Sequence, residues 1–335
     1  IKNPGTQAAK GVKQITAGFK LALTGTPIEN RLSELWSIFD YLMPGFLYTY
    51  QRFREEIEIP IVVNGDENRM QRLQRMIRPF ILRRLKGEVL RDLPAKLEEN
   101  VFAKLEGEQL VLYDAHVQRM KESLEGKSEK EFRSEKIQIL AELTRLRQIC
   151  CDPGLLFEGY KGESAKAQMC MELIENAVSA GHKVLLFSQF TSMLERLAAG
   201  LKKAGIDYYM LTGSVGKEKR MQMVESFNED DVPVFCISLK AGGTGLNLTA
   251  ADIVIHYDPW WNVAAQNQAT DRAHRIGQEN QVSVFKLITK HTIEENILKL
   301  QEMKRDLADT VVTEGTGALS SITREDLIRM LDEDI

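Results

Sequence analysis

The chain has 335 residues, of which 43% are hydrophobic and 27% are charged, so it can bury cores in more than one domain and is neither fibrous nor disordered. Its net charge of -4 at pH 7 excludes a global positive field, so a nucleic-acid site must be a local patch. No apolar run approaches the roughly 20 residues that span a bilayer, and we expect no membrane contact. The cysteines lack the CxxC and His spacings of a zinc site and predict reduced structural thiols of a cytosolic protein, with no metal: Cys150, Cys151, Cys170 and Cys236.

The first part of the chain predicts the end of an α/β domain with a helical insert. FKLALTGTPIEN begins at Phe19 as a short apolar run ended by a Gly/Pro turn, which predicts a strand and a functional loop. The helix that follows is predicted by the spacing of Leu35, Ile38, Phe39 and Leu42. From Pro44 to about Pro94, the pattern predicts a helical insert and then a linker.

Helical spacing from Lys96 to Cys151 predicts a protrusion of two or more long helices. The protrusion is predicted to end at Asp152-Pro153-Gly154. After about Ser164, helices alternate with the apolar segments VLLFSQ, DYYML, VPVFCIS, DIVIHY and VSVFKLI. Such alternation is typical of an α/β fold with a parallel doubly wound sheet. From Thr292 onward we expect a charged amphipathic helix, a Gly/Thr-rich loop and a short last helix.

Two neighbouring segments have residues suited to phosphate. SLKAGGTGLNL, which follows an apolar strand, places three glycines around Thr244, and glycine lets backbone N-H groups approach a phosphate closely. A tight glycine turn is the alternative. In QATDRAHRIGQ the pattern predicts a helix with Arg272 and Arg275 on one face, where two guanidiniums could meet the charge on a transferring phosphate. The alternative is a solvated face paired with Asp271.

Two of the three tryptophans, Trp260 and Trp261, lie together in HYDPWWN, directly after the predicted strand DIVIHY. Ligands of open α/β sheets bind at the carboxyl ends of strands, and an aromatic ring there can stack or wedge against nucleic acid. Core packing is the alternative for both rings, and it is the stronger alternative for Trp260.

The most basic stretch contains arginines spaced three apart along a predicted helix. This spacing places them on one stripe that could contact phosphates, and the alternative is that they only form a solvated helix face. Its members are Arg69, Arg72, Arg75 and Arg78, followed by Arg83, Arg84 and Lys86.

No GxxxxGK[ST] motif occurs in the chain. The Gly-Lys-Ser at residues 126–128 has Lys121 where the motif requires its first glycine, and no acidic box follows an apolar strand. We therefore expect that this chain has no triphosphate and Mg²⁺ site of its own.

Several segments together resemble the Swi/Snf-like family of superfamily-two helicase-type motors over almost the whole chain. LALTGTPIEN is similar to the family's third motif, KVLLFSQFTSML to the fourth, SLKAGGTGLNLTAAD to the fifth and QATDRAHRIGQ to the sixth, with DPWWN between the last two. The resemblance implies two RecA-like lobes with helical protrusions and ATP in the cleft between them. It also implies that this chain begins inside a longer protein whose upstream part carries the phosphate loop and acidic box.

By this resemblance, residues 1–85 are the end of lobe one with a helical insert, 86–160 a linker and protrusion, 161–300 lobe two, and 301–335 a helical tail. Arg272 and Arg275 correspond to the family's arginine fingers, with Gln268 and Gly243 also at the nucleotide. Thr24, Gly25 and Thr26 correspond to the element that couples hydrolysis to DNA. The lobe-two positions near the DNA strand are Ser188, Gln189, Gly243, Thr244, Asn247 and Trp261.

The function implied is ATP-dependent translocation on double-stranded DNA, with displacement or remodelling of DNA-bound proteins. ATP and Mg²⁺ would be cofactors of the full-length parent, and its partners would be double-stranded DNA and the upstream lobe one. Two alternatives stay open: a strand-separating helicase or RNA-dependent ATPase, and a non-catalytic binding module that docks a partner on residues 96–151. A bacterial cytoplasm and a nucleus are equally compatible locations.

Overall fold

The computed structural model describes residues 1–24, 32–82, 90, 93–126, 128–242, 245–299, 301, 328 and 331. The chain divides into two compact units, of which the first includes Ile1–Val89 and the second Leu90–Gln301.

The first unit is helical in the part that the structure describes. Its helices pack around a core that includes Leu35, Phe39 and Phe53. Gly65 ends one helix in the left-handed region with a φ of 63°, and Asp66 caps the next by accepting a 3.0 Å hydrogen bond from the Arg69 amide. The elements are α1 (Gln7–Lys13), α2 (Leu32–Leu42), α3 (Tyr50–Phe53), a π-helical segment (Arg54–Glu58), α4 (Ile59–Asn64), α5 (Glu67–Ile77) and a 3-10 turn (Arg78–Phe80).

The strand predicted from Phe19 is absent from the described structure, so that prediction was wrong. Residues 19–24 have no regular secondary structure, and the side chains of Phe19 and Leu23 are 82% and 91% exposed. A strand requires a neighbour to hydrogen-bond with. Within the described residues of the first unit there is no strand that could serve as this neighbour.

The second unit is built on a six-stranded parallel sheet with the order β1-β6-β5-β2-β4-β3. In β2, Leu185 and Phe187 face one core cluster and Val184 and Leu186 face the other. Both faces are covered, which explains why these segments are continuous apolar runs. The strands are β1 (Lys96–Ala103), β2 (Val184–Ser188), β3 (Tyr208–Leu211), β4 (Val234–Ser238), β5 (Ile253–His256) and β6 (Val282–Thr289). The predicted α/β class and parallel sheet are therefore confirmed.

Strand β1 corrects the prediction that helical structure begins at Lys96. Residues 96–103 pair in parallel with β6, from Lys96 opposite Val282 to Ala103 opposite Thr289. The partner strand lies far along the chain, so local spacing carries no signal for it.

The predicted long helices of the protrusion follow β1 as α6 and α8, and a shorter helix lies between them. Another helix is shorter than expected, because α13 ends at Thr270, before the two arginines that were predicted to lie on it. The helices of the second unit are α6 (Gly107–Glu125), α7 (Glu129–Ser134), α8 (Lys136–Cys151), α9 (Ala165–Ser179), α10 (Thr191–Lys203), α11 (Lys217–Glu229), α12 (Leu239–Gly242), α13 (Val263–Thr270) and α14 (293–299), with a 3-10 turn at Pro153–Leu155.

A buried ion pair links two helices of the second unit. Lys166 of α9 forms a fully buried ion pair with Glu294 of α14, which also accepts a 2.9 Å hydrogen bond from the Thr289 amide.

The cysteines are buried free thiols, and burial raises the pKa of Cys236 to about 12. Such thiols are unreactive, as expected for structural cysteines.

His256, the last residue of β5, is enclosed by the core. Its Nε2 lies 2.8 Å from Thr270 Oγ1 of α13, and its ring stacks on Phe187 with centroids 5.5 Å apart. Burial, assisted by the charge of Lys286, lowers the pKa of His256 to about 3. The imidazole is therefore neutral at physiological pH.

We predict that His256 makes the fold acid-sensitive. Its folded pKa lies below the usual value of about 6.5, so the unfolded chain takes up the proton first and stability falls as the pH drops from about 6.5 toward 3. Between pH 7 and pH 4.5 this group should remove roughly 2–3 kcal/mol from the free energy of unfolding.

Urea unfolding at the two pH values, on the wild type and on His256→Gln, measures this effect. The neutral amide can still reach Thr270, and the variant should lose less stability on acidification by about that amount. Equal losses in the two proteins would contradict a neutral buried His256.

Candidate functional site

The candidate site lies along the edge of the sheet where the parallel strands β2, β4 and β5 end. β2 ends at Ser188, β4 at Ser238 and β5 at His256, and parallel pairing brings these ends to the same edge. The loops that leave this edge contain the tryptophan segment and the start of the glycine-rich segment, and open α/β sheets bind ligands at such an edge. The arginine turn leads into β6 at the opposite edge. There Gln278 bonds to Ala251 just before β5, and His274 lies 2.8 Å from the Pro94 carbonyl just before β1.

Asp258 joins the loops that follow β2 and β5. Its carboxylate is fully buried and accepts hydrogen bonds from the Ser188 hydroxyl and, at 3.2 Å, from the Gln189 amide. Arg147 of α8 lies 3.8 Å away as an ion-pair partner. Burial raises the pKa of Asp258, whereas Arg147 and the Ser188 hydroxyl oppose that rise by favouring the charged form.

The two tryptophans have different surroundings. Trp260 packs against the core cluster under the loop, and its amide donates a 3.4 Å hydrogen bond to Gln266 of α13. Trp261 is half-buried, and its ring lies over the guanidinium of Arg147 with 5.7 Å between the guanidinium carbon and the ring centroid. Next to it, Asn262 caps α13 by accepting from the Ala265 amide at 3.2 Å. Both rings are half-buried, but Trp260 lies against the core cluster and Trp261 against Arg147.

The arginine pair lies in the turns that follow α13. The amide of Leu248 donates to the Arg272 carbonyl at 3.0 Å, and Arg275 Nη1 donates to the Leu246 carbonyl at 3.2 Å. These bonds hold the turn against the loop after β4. The premise of a shared helical face was wrong, because Gly277, with a φ of 99°, and the turns before it redirect the backbone.

The two arginines repel each other electrostatically. Arg272 is only 2% exposed, and burial followed by the charge of Arg275 lowers its pKa, against an opposing effect of Asp271. A bound anion would oppose this effect of Arg275 on Arg272.

The other predicted positions differ in exposure. Ser188 is fully buried and bonded to Asp258, so its hydroxyl shapes the loop from beneath. Gln189 and Gln268 are half-buried, and Asn247 is exposed. Thr24 is also exposed, in the first unit. Gly25, Thr26, Gly243 and Thr244 lie outside the described residues.

The basic stretch forms an exposed stripe on α5. Arg69, Arg72, Arg75 and Arg78 all face solvent, whereas Leu73 and Ile77 of the same segment are buried in the core. Arg83, Arg84 and Lys86 lie outside the described residues.

Sequence reasoning missed Asp258 and Arg147 at this edge, and Gln278 in the arginine turn. Gln278 donates from Nε2 to the carbonyls of Ala251 and Ala273, at 2.8 and 3.2 Å, and so fastens the end of the arginine turn. Its position at the end of HRIGQ was a usable signal. Arg147 had no signal, because it looks like any charged residue on a protrusion helix.

No helix in the described ranges combines the length and apolar character needed to cross a membrane. Among the same residues, no group of three or more His, Cys, Asp or Glu side chains could hold a metal ion.

Residues 1–155 match the SNF2-related domain family, and residues 165–277 match the helicase conserved C-terminal domain family. A solved structure of the Sulfolobus solfataricus SWI2/SNF2 ATPase core in complex with dsDNA is similar, with a TM-score of 0.59 and 36% identity, over 99% of this chain and 70% of that one. The C-terminal domain of the same ATPase aligns over all of its length and 72% of this chain, at 31% identity and a TM-score of 0.59.

Curated relatives have the same family character. A Mycoplasma pneumoniae protein named as an uncharacterized ATP-dependent helicase is 38% identical over 99% of this chain and 32% of its own length. The TATA-binding protein-associated factor MOT1 of Saccharomyces cerevisiae is 35% identical over 100% of this chain and 21% of its own length. The chain thus spans about a third or less of these relatives.

The parallel α/β unit, its tryptophan loop and arginine turn, both family matches and the likeness to the Sulfolobus core agree. This chain belongs to the SWI2/SNF2 family of helicase-type ATPases and has the family's RecA-like fold.

Proposed function

We propose that this chain is the C-terminal part of an ATP-dependent double-stranded DNA translocase that remodels or displaces DNA-bound proteins. One observation supports the proposal most: the parallel α/β unit presents a loop with a half-buried tryptophan and, in a separate turn, two arginines that interact electrostatically. The first suits nucleic acid and the second suits a phosphate anion. The similar Sulfolobus ATPase core was solved with double-stranded DNA.

In this proposal, residues 1–85 complete lobe one, 86–160 form a linker and protrusion, 161–300 form lobe two and 301–335 are a helical tail. The exposed apolar side chains of Phe19, Leu21 and Leu23 alternate along the chain. Period-two alternation is the pattern of a strand, and we infer that this segment completes its pairing with the upstream part of lobe one. That part would also supply the phosphate loop and acidic box that bind ATP and Mg²⁺.

The arginine turn would act on ATP. Arg272 is buried, whereas the half-exposed Arg275 donates from Nη1 to a backbone carbonyl, that of Leu246. Arg275 can therefore exchange that neutral acceptor for the phosphoryl oxygens when the lobes close, and neutralise the charge that develops there. Gln268 and Gly243 would lie beside the nucleotide, and Thr24, Gly25 and Thr26 would couple hydrolysis to movement.

The tryptophan loop would act on DNA. Trp261 offers an aromatic face, Gln189 offers an amide group beside it, and Asn247 offers an exposed amide in the loop after β4. Ser188 supports this surface from beneath, and Thr244 belongs to the glycine loop beside Asn247. Phosphate contacts give affinity without reading sequence, as a protein that moves along any duplex requires.

The rival functions are separated by ATP turnover of the full-length parent with duplex DNA, single-stranded DNA or RNA added. Stimulation by duplex DNA alone supports a translocase. Stimulation by single strands or RNA would indicate the helicase or RNA-dependent ATPase, and no turnover under any condition would indicate a binding module.

The 335-residue chain alone should hydrolyse no ATP, because it lacks the phosphate loop, yet it should bind duplex DNA weakly. The affinity should fall as salt rises, since each phosphate contact releases counterions. Fluorescence anisotropy with a labelled duplex at several salt concentrations measures binding, and phosphate release measures turnover. Turnover above background, or an affinity insensitive to salt, would contradict the proposal.

In the parent, Trp261→Ala should leave basal ATP hydrolysis near normal and raise the duplex concentration for half-maximal stimulation by about ten-fold, the scale of one lost aromatic stacking contact. Trp261→Phe keeps an aromatic face and should lose much less. Circular dichroism checks folding, and gross instability of both variants would assign the ring to the core instead.

Arg275→Ala in the parent should abolish most ATP turnover, since arginine fingers contribute about 10³ to 10⁵ in rate in other phosphoryl-transfer systems. Arg275→Lys should not restore it, because an ammonium lacks the planar fork of donors. Duplex affinity without nucleotide should barely change. Steady-state phosphate release and anisotropy make the two measurements.

The control is Arg145→Ala, which removes an exposed arginine paired with Glu142 on α8 and should behave as wild type. An Arg275→Ala protein that keeps its turnover but loses DNA binding would reassign the arginine turn to DNA.

A further inference from the structure

Arg147 is a buried cation that reaches from the protrusion into the candidate site. Its side chain is 4% exposed, although it belongs to α8, whose neighbouring Arg145 side chain is 55% exposed. Arg147 Nη1 donates to Gln189 Oε1 at 3.0 Å, and Nη2 donates to the Pro259 carbonyl. The Asp258 carboxylate lies 3.8 Å away.

The same guanidinium lies against two aromatic rings. Its central carbon is 5.7 Å from the centroid of Trp261 and 5.8 Å from that of Phe190. Cation–π contacts of this kind are stronger when they are removed from water. Arg147 therefore contacts the loop after β2 through Gln189 and Phe190, and the loop after β5 through Pro259 and Trp261.

The geometry restricts how these loops can move. A buried guanidinium must keep its acceptors, because losing one leaves an unmet charge in the core. Its donors lie in one rigid plane, so Gln189 Oε1 and the Pro259 carbonyl are held at fixed directions relative to each other. Lysine could neutralise Asp258, but it cannot span both loops in this way.

The end of α8 is itself anchored. Gln109 of α6 donates from Nε2 to the Ile149 carbonyl at 2.8 Å, two residues after Arg147. The Tyr257 hydroxyl donates to the Cys151 carbonyl at 2.7 Å. Arg147 thus extends from a fixed backbone, which is the requirement for a side chain that positions others.

We propose that Arg147 is a positioning residue that sets the orientation of Trp261, and of Gln189 beside it, for contact with duplex DNA. It touches no DNA in this proposal and acts through those two side chains. The inference rests on the proposed function for its DNA part, but the positioning of Trp261 can be measured without DNA.

The first experiment is ¹⁹F NMR of the 335-residue chain labelled with 5-fluorotryptophan. The chain has three tryptophans, and replacing each by Phe assigns its signal. Arg147→Lys should shift or broaden the Trp261 signal and leave that of Trp36, in the first unit, unchanged. Arg145→Ala, the matched control on the same helix, should change neither. An unchanged Trp261 signal in a folded Arg147→Lys protein would overturn the proposal, whatever the DNA result.

A partner-side variant keeps the test decisive if Arg147→Lys does not fold. Gln189→Met removes the half-buried acceptor and leaves Arg147 in place. It should shift the Trp261 signal in the same direction by a smaller amount, and a signal unchanged by Gln189→Met would then overturn the proposal.

The second experiment is a double-mutant cycle for duplex affinity, measured by anisotropy. Arg147→Lys should weaken binding by about ten-fold, up to the loss expected for Trp261→Ala, because it acts only by displacing the Trp261 ring. In the Trp261→Ala background, Arg147→Lys should add little. Losses that multiply, or an Arg147→Lys protein that binds as wild type does, would overturn positioning through Trp261. If the wild type binds no duplex, the DNA surface fails, while the NMR result still decides the positioning.

Discussion

A carboxylate that is fully removed from water must be met by donors, and Asp258 is met from separate parts of the chain. The loop after β2 supplies the Ser188 hydroxyl and the Gln189 amide, and the protrusion supplies Arg147. Leaving such a group without partners would cost several kcal/mol. The burial of Asp258 therefore fixes where the tryptophan loop leaves the sheet, and Trp261 depends on it.

The arginine turn follows the same principle with backbone groups. The turn with Arg272 and Arg275 is held to the loop after β4 by bonds to Leu246 and Leu248, and Gln278 fastens its end. These bonds fix the backbone on which a buried and a half-exposed arginine lie outside any helix. The second unit thus has two candidate functional segments, a tryptophan loop and an arginine turn, each held by its own buried polar contacts.

Much of the second unit was predictable because its central strands β2, β4 and β5 are largely buried and so are continuous apolar runs. The partly exposed strands β3 and β6 were also anticipated, from shorter apolar segments. The predictions failed where a distant partner decides the structure: β1 forms only beside β6, and the apolar residues after Phe19 form no strand in the described structure.

The sequence by itself determined the family, the alternation that builds the parallel sheet, and the residue types in the loops between its strands, because glycines, arginines and tryptophans at set spacings are local information. Only the tertiary structure decided that Arg272 is buried, that Ser188 lies beneath the loop, and that Arg147 belongs to the site. Arg147 meets Pro259 across 112 positions of sequence. Contacts at that separation arise from packing, and no local pattern encodes which cation will fill a buried gap.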